Sequence, residues 1–202
     1  MSKRGKRSSK AMERDKADSA EVGNVILNNK PVWLLSYADM PKYRKDNPSI
    51  LTGYRQQMSF AGSLRSMFTW HNQTMNIWTH MIFVWACIGI MIYQQAYRTQ
   101  ELNGTWYDRI AMSFIILGGL ATFFSSVGCH TFENRDEKAA RFWHLMDYLG
   151  IVTVVQGSIS YIFYFFYCDL ILKIAYIAFT TVCCIICAYV MSNRKFATHE
   201  YR

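Results

Sequence analysis

The stretch Ile110-Ala-Met-Ser-Phe-Ile-Ile-Leu-Gly-Gly-Leu-Ala-Thr-Phe-Phe-Ser-Ser-Val-Gly-Cys-His-Thr-Phe132 contains no Asp, Glu, Lys or Arg. A helix rising 1.5 Å per residue needs about 20 residues to match the hydrocarbon core of a bilayer, and this run is long enough. Three more charge-free runs share the property: Ile77 to Tyr97, Tyr148 to Cys168 and Ile174 to Asn193. One or two such runs fit the core of a soluble helical protein. Four in succession, with connections of no more than about fifteen residues, leave too little polar surface for a water-soluble globule. The sequence therefore predicts an all-α fold, a multi-pass transmembrane helical bundle with a disordered basic amino-terminal tail. The spans fall at about 77–97, 110–132, 147–168 and 171–192, inside a transmembrane domain of residues 77–202.

A mean hydropathy of only +0.01 hides this, because it averages a polar front end with a very apolar remainder. Residues 1–46 are rich in Lys, Arg, Asp, Ser and Asn. Such a composition buries too little apolar surface to offset chain entropy, and it predicts a disordered cytoplasmic tail. No apolar core of a signal peptide lies near Met1, so the first span is expected to act as its own insertion signal. Of the 22 Lys and Arg, all but Arg98, Arg109 and Lys173 fall on one side of the predicted spans. That asymmetry places both termini in the cytoplasm and reads the formal charge of +8 as a positive-inside signature rather than a nucleic-acid footprint. The bias does not separate plasma membrane from endomembrane. The basic run Lys3 to Lys10 reads either as a solvated tail or as a contact for anionic membrane lipids. Aromatic residues at the span ends, Trp78, Trp106, Tyr107, Trp143, Tyr148, Tyr164 and Tyr167 among them, fit interfacial belts.

Residues 47–76 form a juxtamembrane region of a different kind. From Gly53 to Trp70 the apolar residues Tyr54, Met58, Ala61, Leu64, Met67 and Phe68 recur at spacings of three and four, with Arg55, Gln56, Ser59, Ser63 and Arg65 mainly between them. The spacing predicts an amphipathic helix that lies on the membrane surface or packs its apolar face on the bundle.

Few residues carry chemistry. The five histidines stand at 71, 80, 130, 144 and 199, and no two share a helix face at a spacing of three or four, so a two-His clamp on one helix is excluded. His80 shares a face with Asn72 and Asn76, a polar stripe that reads as hydrogen-bonding between spans. Ser126 and His130 are four apart and point the same way. A short loop makes the second and third spans antiparallel neighbours, so Asp147 enters the membrane near the depth at which His130 leaves it. Ionisable groups at such depth are functional candidates. Asp147 also reads as a carboxylate stabilised by a helix's first turn. A Ser/His/Asp set evokes a hydrolase triad, but no nucleophile-elbow sequence accompanies it.

Four stretches carry a resemblance: Gly53-Tyr-Arg55, His71-Asn-Gln-Thr-Met-Asn-Ile-Trp-Thr-His80, Ser126-Val-Gly-Cys-His-Thr-Phe132 and Leu145-Met-Asp-Tyr-Leu-Gly-Ile151. In this order and spacing the chain resembles the adiponectin-receptor family, the progestin and adipoQ receptors, which is distantly similar to the haemolysin III proteins. The resemblance covers about Ile50 to Cys168. It implies a seven-span receptor with a cytoplasmic amino terminus and a zinc ion near the inner membrane face. In that family one His of the second span and two of the seventh hold the zinc. An Asp at the start of the third span is linked to the zinc-bound water, and the Ser one turn before the second-span His belongs to the same site. His130 matches the metal ligand, and Asp147 and Ser126 match the catalytic positions. Implied ligands are a protein hormone, a steroid or a sphingolipid, with some members acting as ceramide-amide hydrolases.

The sequence as it stands reaches Arg202 one short tail after the fourth span. One imidazole does not retain a catalytic zinc, which takes three protein ligands and an open position, so the zinc site is expected to be incomplete in this chain. Cys129 is rotated by about 100° from His130, and His144 reads as a loop or interface residue rather than a ligand. Cys184-Ile-Ile-Cys187, with Cys183 beside it, lies within a span and reads as packing thiols, and six scattered cysteines make no disulfide framework. Two functions follow. One is a membrane receptor or zinc-dependent lipid-amide hydrolase completed by residues outside the four spans. The other is a truncated, non-catalytic protein that assembles with other membrane proteins.

Overall fold

The computed structural model describes residues 34–45, 47–167 and 169–193. The expectations for most of the tail, the Lys3 to Lys10 run, Cys168, His199 and the carboxyl-terminal cations lie outside these residues. Two short strands, β1 (Leu34–Leu35) and β2 (Tyr54–Arg55), flank a single 3-10 turn at Lys42–Arg44, and helix α1 spans Phe60–Ser66. Four long helices follow. These are α2 (Thr74–Tyr93, continued through a π-helical Gln94–Arg98 and a last turn Thr99–Glu101), α3 (Trp106–Phe132), α4 (Glu137–Phe166) and α5 (Leu170–Ser192). All four are long and apolar enough to cross a membrane. Large apolar side chains such as Ile82, Phe114, Ile171, Phe179 and Ile185 point outward, as hydrocarbon rather than water demands.

The chain divides into two compact units, one made of the residues up to Met75 with Thr131–Ala140, the other of Asn76–His130 with the residues from Arg141 on. In the first unit β1 and β2 pair antiparallel, Leu34 opposite Arg55 and Leu35 opposite Tyr54. Residues 34–45, read from composition as part of a disordered tail, are thus folded, and Met40 and Arg44 are buried. Beside this pairing Arg55 is fully buried, 0% exposed. Its Nη1 donates to Ser66 Oγ at 2.8 Å and to the Thr131 carbonyl at 3.1 Å, while its own carbonyl accepts from Arg44 Nη1 at 2.8 Å. Asn134 ties in from the other side, accepting from Ser63 Oγ at 2.9 Å and donating to the Gln56 carbonyl at 3.1 Å.

These contacts also correct the helix expected over 53–70. Gly53 takes a left-handed φ of +90°, Tyr54–Arg55 is extended, and only at Ser59 does a capping hydroxyl, accepting from Gly62 N–H at 3.2 Å, start a helix. Tyr54, Met58 and Met67 are buried as expected, but within the helix itself the buried residues are not the apolar ones. Gly62, Ser63 and Ser66 are buried, whereas Phe60, Leu64, Phe68 and Trp70 are exposed.

In the second unit consecutive long helices run antiparallel. Gln95 Nε2 donates to Ser113 Oγ at 2.7 Å between α2 and α3, Thr122 Oγ1 donates to the Gly150 carbonyl at 2.7 Å between α3 and α4, and Gln156 Nε2 donates to Thr181 Oγ1 at 2.9 Å between α4 and α5. Polar side chains thus join each helix pair where no water competes for them.

Candidate functional site

Helix α3 presents two stripes, and the division decides which candidate residues meet. Toward α4 it turns Gly118, Thr122, Ser125 and Cys129. A Cβ added to Gly118 would lie 2.8 Å from the Thr153 carbonyl oxygen, and one added to Gly150 would lie 2.6 Å from Ser125 Oγ. Cys129 Sγ meets His144 Nδ1 at 3.3 Å. Toward α2 it turns Gly119, Phe123 and His130. A Cβ on Gly119 would touch Cys87 Sγ at 3.4 Å, and the Phe123 ring stacks on Phe83 at 4.8 Å. Ser126, three residues from Phe123 and four from His130, belongs by helical spacing to this second stripe.

The α3–α4 contacts also fix depth. Gly150 lies opposite Thr122 and Ser125, and His144 lies opposite Cys129. Asp147, midway between them on α4, is therefore level with Ser126 and about one turn from the level of His130. Ser126 is buried, and His130 and Asp147 are half-buried. Among the described residues the Asp147 carboxylate takes part in no hydrogen bond or ion pair. The structure thus brings Ser126, His130 and Asp147 to one end of the α3–α4 pair within a turn of each other. It places His144 at the helix interface, bonded to Cys129 and on a different stripe from His130.

His80, whose polar stripe reads from the sequence as hydrogen-bonding between spans, lies beside His130. The His80 ring lies 5.5 Å from the His130 ring, centroid to centroid, at an interplanar angle of 39°, and 6.0 Å from Phe123. Hydrogen-bonding between spans, the reading given to its polar stripe, is absent at His80 Nδ1, which is buried without a partner among the described residues. The signal was in the sequence: His80 stands early in the first span and His130 late in the second, so antiparallel neighbours put both at one depth. An imidazole is a zinc ligand, and a catalytic zinc takes three protein ligands. Among the described residues no group of three or more His, Cys, Asp and Glu is assembled for a metal ion.

Residues 68–202 match the sequence family described as haemolysin-III related. The human progestin and adipoQ receptor family member 3 is 31% identical over 146 residues, 71% of this chain and 47% of that protein. The adiponectin receptor protein of Drosophila melanogaster is 28% identical over 180 residues, covering 86% of this chain and 40% of the relative. The ADIPOR-like receptor IZH2 of Saccharomyces cerevisiae is 27% identical over 171 residues, covering 84% and 54%. The chain spans about half the length of the curated relatives it matches.

Proposed function

We propose, from the premise that this chain belongs to the haemolysin-III-related family together with the progestin and adipoQ receptors, that it is an integral membrane receptor of the adiponectin/progestin type. Its polar site is a zinc centre at the carboxyl-terminal end of α3, with His130 as ligand. The observation that carries this reading is the family match over residues 68–202, which takes in all of the second unit. The arrangement of α3 and α4 supports it, because Ser126, His130 and Asp147, the residues that by resemblance match the family's site, lie within a turn of one another.

A zinc ion supplies a Lewis-acid centre. His130 would offer it an imidazole nitrogen, Ser126 Oγ a hydrogen bond on the same stripe, and Asp147 a carboxylate about one turn away that makes no hydrogen bond or ion pair among the described residues. The described residues do not complete a three-ligand set, and no hydrolytic step is assigned to them. The test is the zinc content of the purified chain, read by elemental analysis. Retained zinc that is lost in His130→Ala supports the reading, and a wild-type chain that retains none overturns the zinc centre.

A further inference from the structure

We propose that the end of α3 opposite His130 borders a binding site for a zwitterionic lipid head group with a primary ammonium, of the phosphoethanolamine type. The site is a cavity of about 220 Å3 between the last turns of α2, the first turns of α3 and the end of α4. It lies within the second unit and shares no residue with the zinc reading. Three observations carry it.

The first is construction. Helix α2 widens into a π-helical turn over Gln94–Arg98, a form frequent at functional sites. Thr99, itself buried, donates Oγ1 to the Gln94 carbonyl at 2.8 Å and holds that turn. Gly104 N–H folds the connection back onto the Thr99 carbonyl at 2.8 Å. Thr105 N–H and Oγ1 donate to Asp108 Oδ2 at 2.6 and 2.7 Å, which fixes the carboxylate that lines the cavity.

The second is unused hydrogen-bonding capacity on the lining residues. Gln94 Oε1 is buried without a partner among the described residues, a cost that a ligand's donor removes. Asp108 Oδ1 accepts from the Tyr164 hydroxyl at 3.0 Å, and a carboxylate oxygen has room for a second donor. Arg98 spends one of its several N–H groups on Glu101 at 3.2 Å. The two acceptors suit an ammonium that donates N–H bonds, and the guanidinium suits a phosphate. A zwitterion meets both without bringing net charge to the membrane boundary.

The third is the apolar side. Leu102, Met112 and Phe165 complete the lining. Phe165 is 41% exposed and its neighbour Phe166 73%, so the apolar lining continues onto the outward surface of α4, where acyl chains run. Exposed Trp106 and Tyr107 mark the same level as the head-group boundary. The cavity is smaller than the roughly 300–1,000 Å3 of a drug-sized ligand's cleft and suits a head group rather than a whole lipid.

The experiment titrates phosphatidylethanolamine, phosphatidylcholine and phosphatidylglycerol of identical acyl chains into the full chain in detergent, counting bound lipid by native mass spectrometry. Phosphatidylcholine keeps the charge but has no N–H to donate, and phosphatidylglycerol has no ammonium. Phosphatidylethanolamine is expected to bind about tenfold tighter than either. Gln94→Leu, Arg98→Gln and the cavity-filling Met112→Trp are each expected to remove that preference, with helix content by circular dichroism unchanged. Glu101→Gln, which releases Arg98 from its ion pair, is expected to keep or strengthen it. Equal binding of the three lipids, or a preference that survives all three site variants, overturns the inference. Free O-phosphoethanolamine binding as tightly as the lipid overturns the lipid as its source.

Discussion

Arg55 shows what a single residue does in the first unit. A buried guanidinium is tolerated only when hydrogen bonds replace its water, and Arg55 reaches Ser66 and the carbonyl of Thr131, 76 residues further along the chain. Burial pushes its pKa down to about 10, with the neighbouring Arg44 pushing the same way and Glu133 opposing. Lys carries the charge but not the planar guanidinium that holds one Nη1 against both acceptors. Arg55→Lys is therefore expected to lower stability by about 1–3 kcal/mol, read as a drop in the thermal midpoint of the detergent-solubilised protein. His71 makes a pH prediction. Its Nε2 lies 3.1 Å from the Ser66 carbonyl and its Nδ1 accepts from Gln73 N–H at 3.1 Å, so the neutral ring satisfies both neighbours. Burial, then the charge of Arg55, lower its pKa from 6.5 to about 4. The unfolded chain thus binds the extra proton first as pH falls, so the stability that neutral His71 contributes is complete above pH 6.5 and is lost progressively down to about 4. His71→Asn is expected to flatten the unfolding midpoint between pH 6.5 and 4.5 relative to wild type, and an unchanged slope would remove His71 as its source. At this scale Ser126, His130 and Asp147 were legible from spacing. The role of Arg55 was not, because its partners lie on other elements and appear only once the register between elements is known.

At the scale of elements, the four long helices were legible because a bilayer imposes one length on every charge-free run. The short ones were not. A period of three to four residues from Gly53 to Trp70 matched a helix, yet a left-handed Gly53, the β1–β2 pairing and the Ser59 cap confine the helix to Phe60–Ser66. What holds α3 to α4 is close approach at glycine. A Cβ on Gly157 would lie 2.5 Å from the Phe114 carbonyl oxygen, one on Gly118 would lie 2.9 Å from the Val154 Cα, and one on Gly128 would fall within the Trp143 ring. Backbone atoms cannot yield as a flexible side chain can, so Gly157→Ala is expected to cost about 1–3 kcal/mol by separating the two helices. Gly89, in α2, has nothing within 4 Å of an added Cβ, and Gly89→Ala is expected to cost nothing. Parallel thermal unfolding of the two variants separates helix packing from a general intolerance of glycine replacement; equal losses would refute the packing account.

At the scale of the molecule, four spans give an alternation that charge can orient. The α2–α3 and α4–α5 connections fall on one side of the bilayer, and the α3–α4 connection falls on the other with the segment before α2. The first side holds only Arg98, Arg109 and Lys173 of the 22 Lys and Arg. Arg98 is moreover paired with Glu101 at 3.2 Å, and Asp108 and Asp169 flank the same connections. The second side holds Arg135, Lys138 and Arg141 close to the membrane together with the basic amino-terminal region. Because retention of Lys and Arg in short loops sets orientation, the α3–α4 connection is expected in the cytoplasm. The site at Ser126, His130 and Asp147 then lies near the inner face. Leu102 and Lys138 are exposed at the two connections and suit a labelling test. In intact cells a membrane-impermeant maleimide is expected to label Leu102→Cys above the wild-type background, and to label Lys138→Cys only after permeabilisation. The reverse pattern would invert the protein and move the site to the outer face. Equal labelling of both in intact cells would mean that α3 does not cross, and the depth argument for Asp147 and His130 would fall with it.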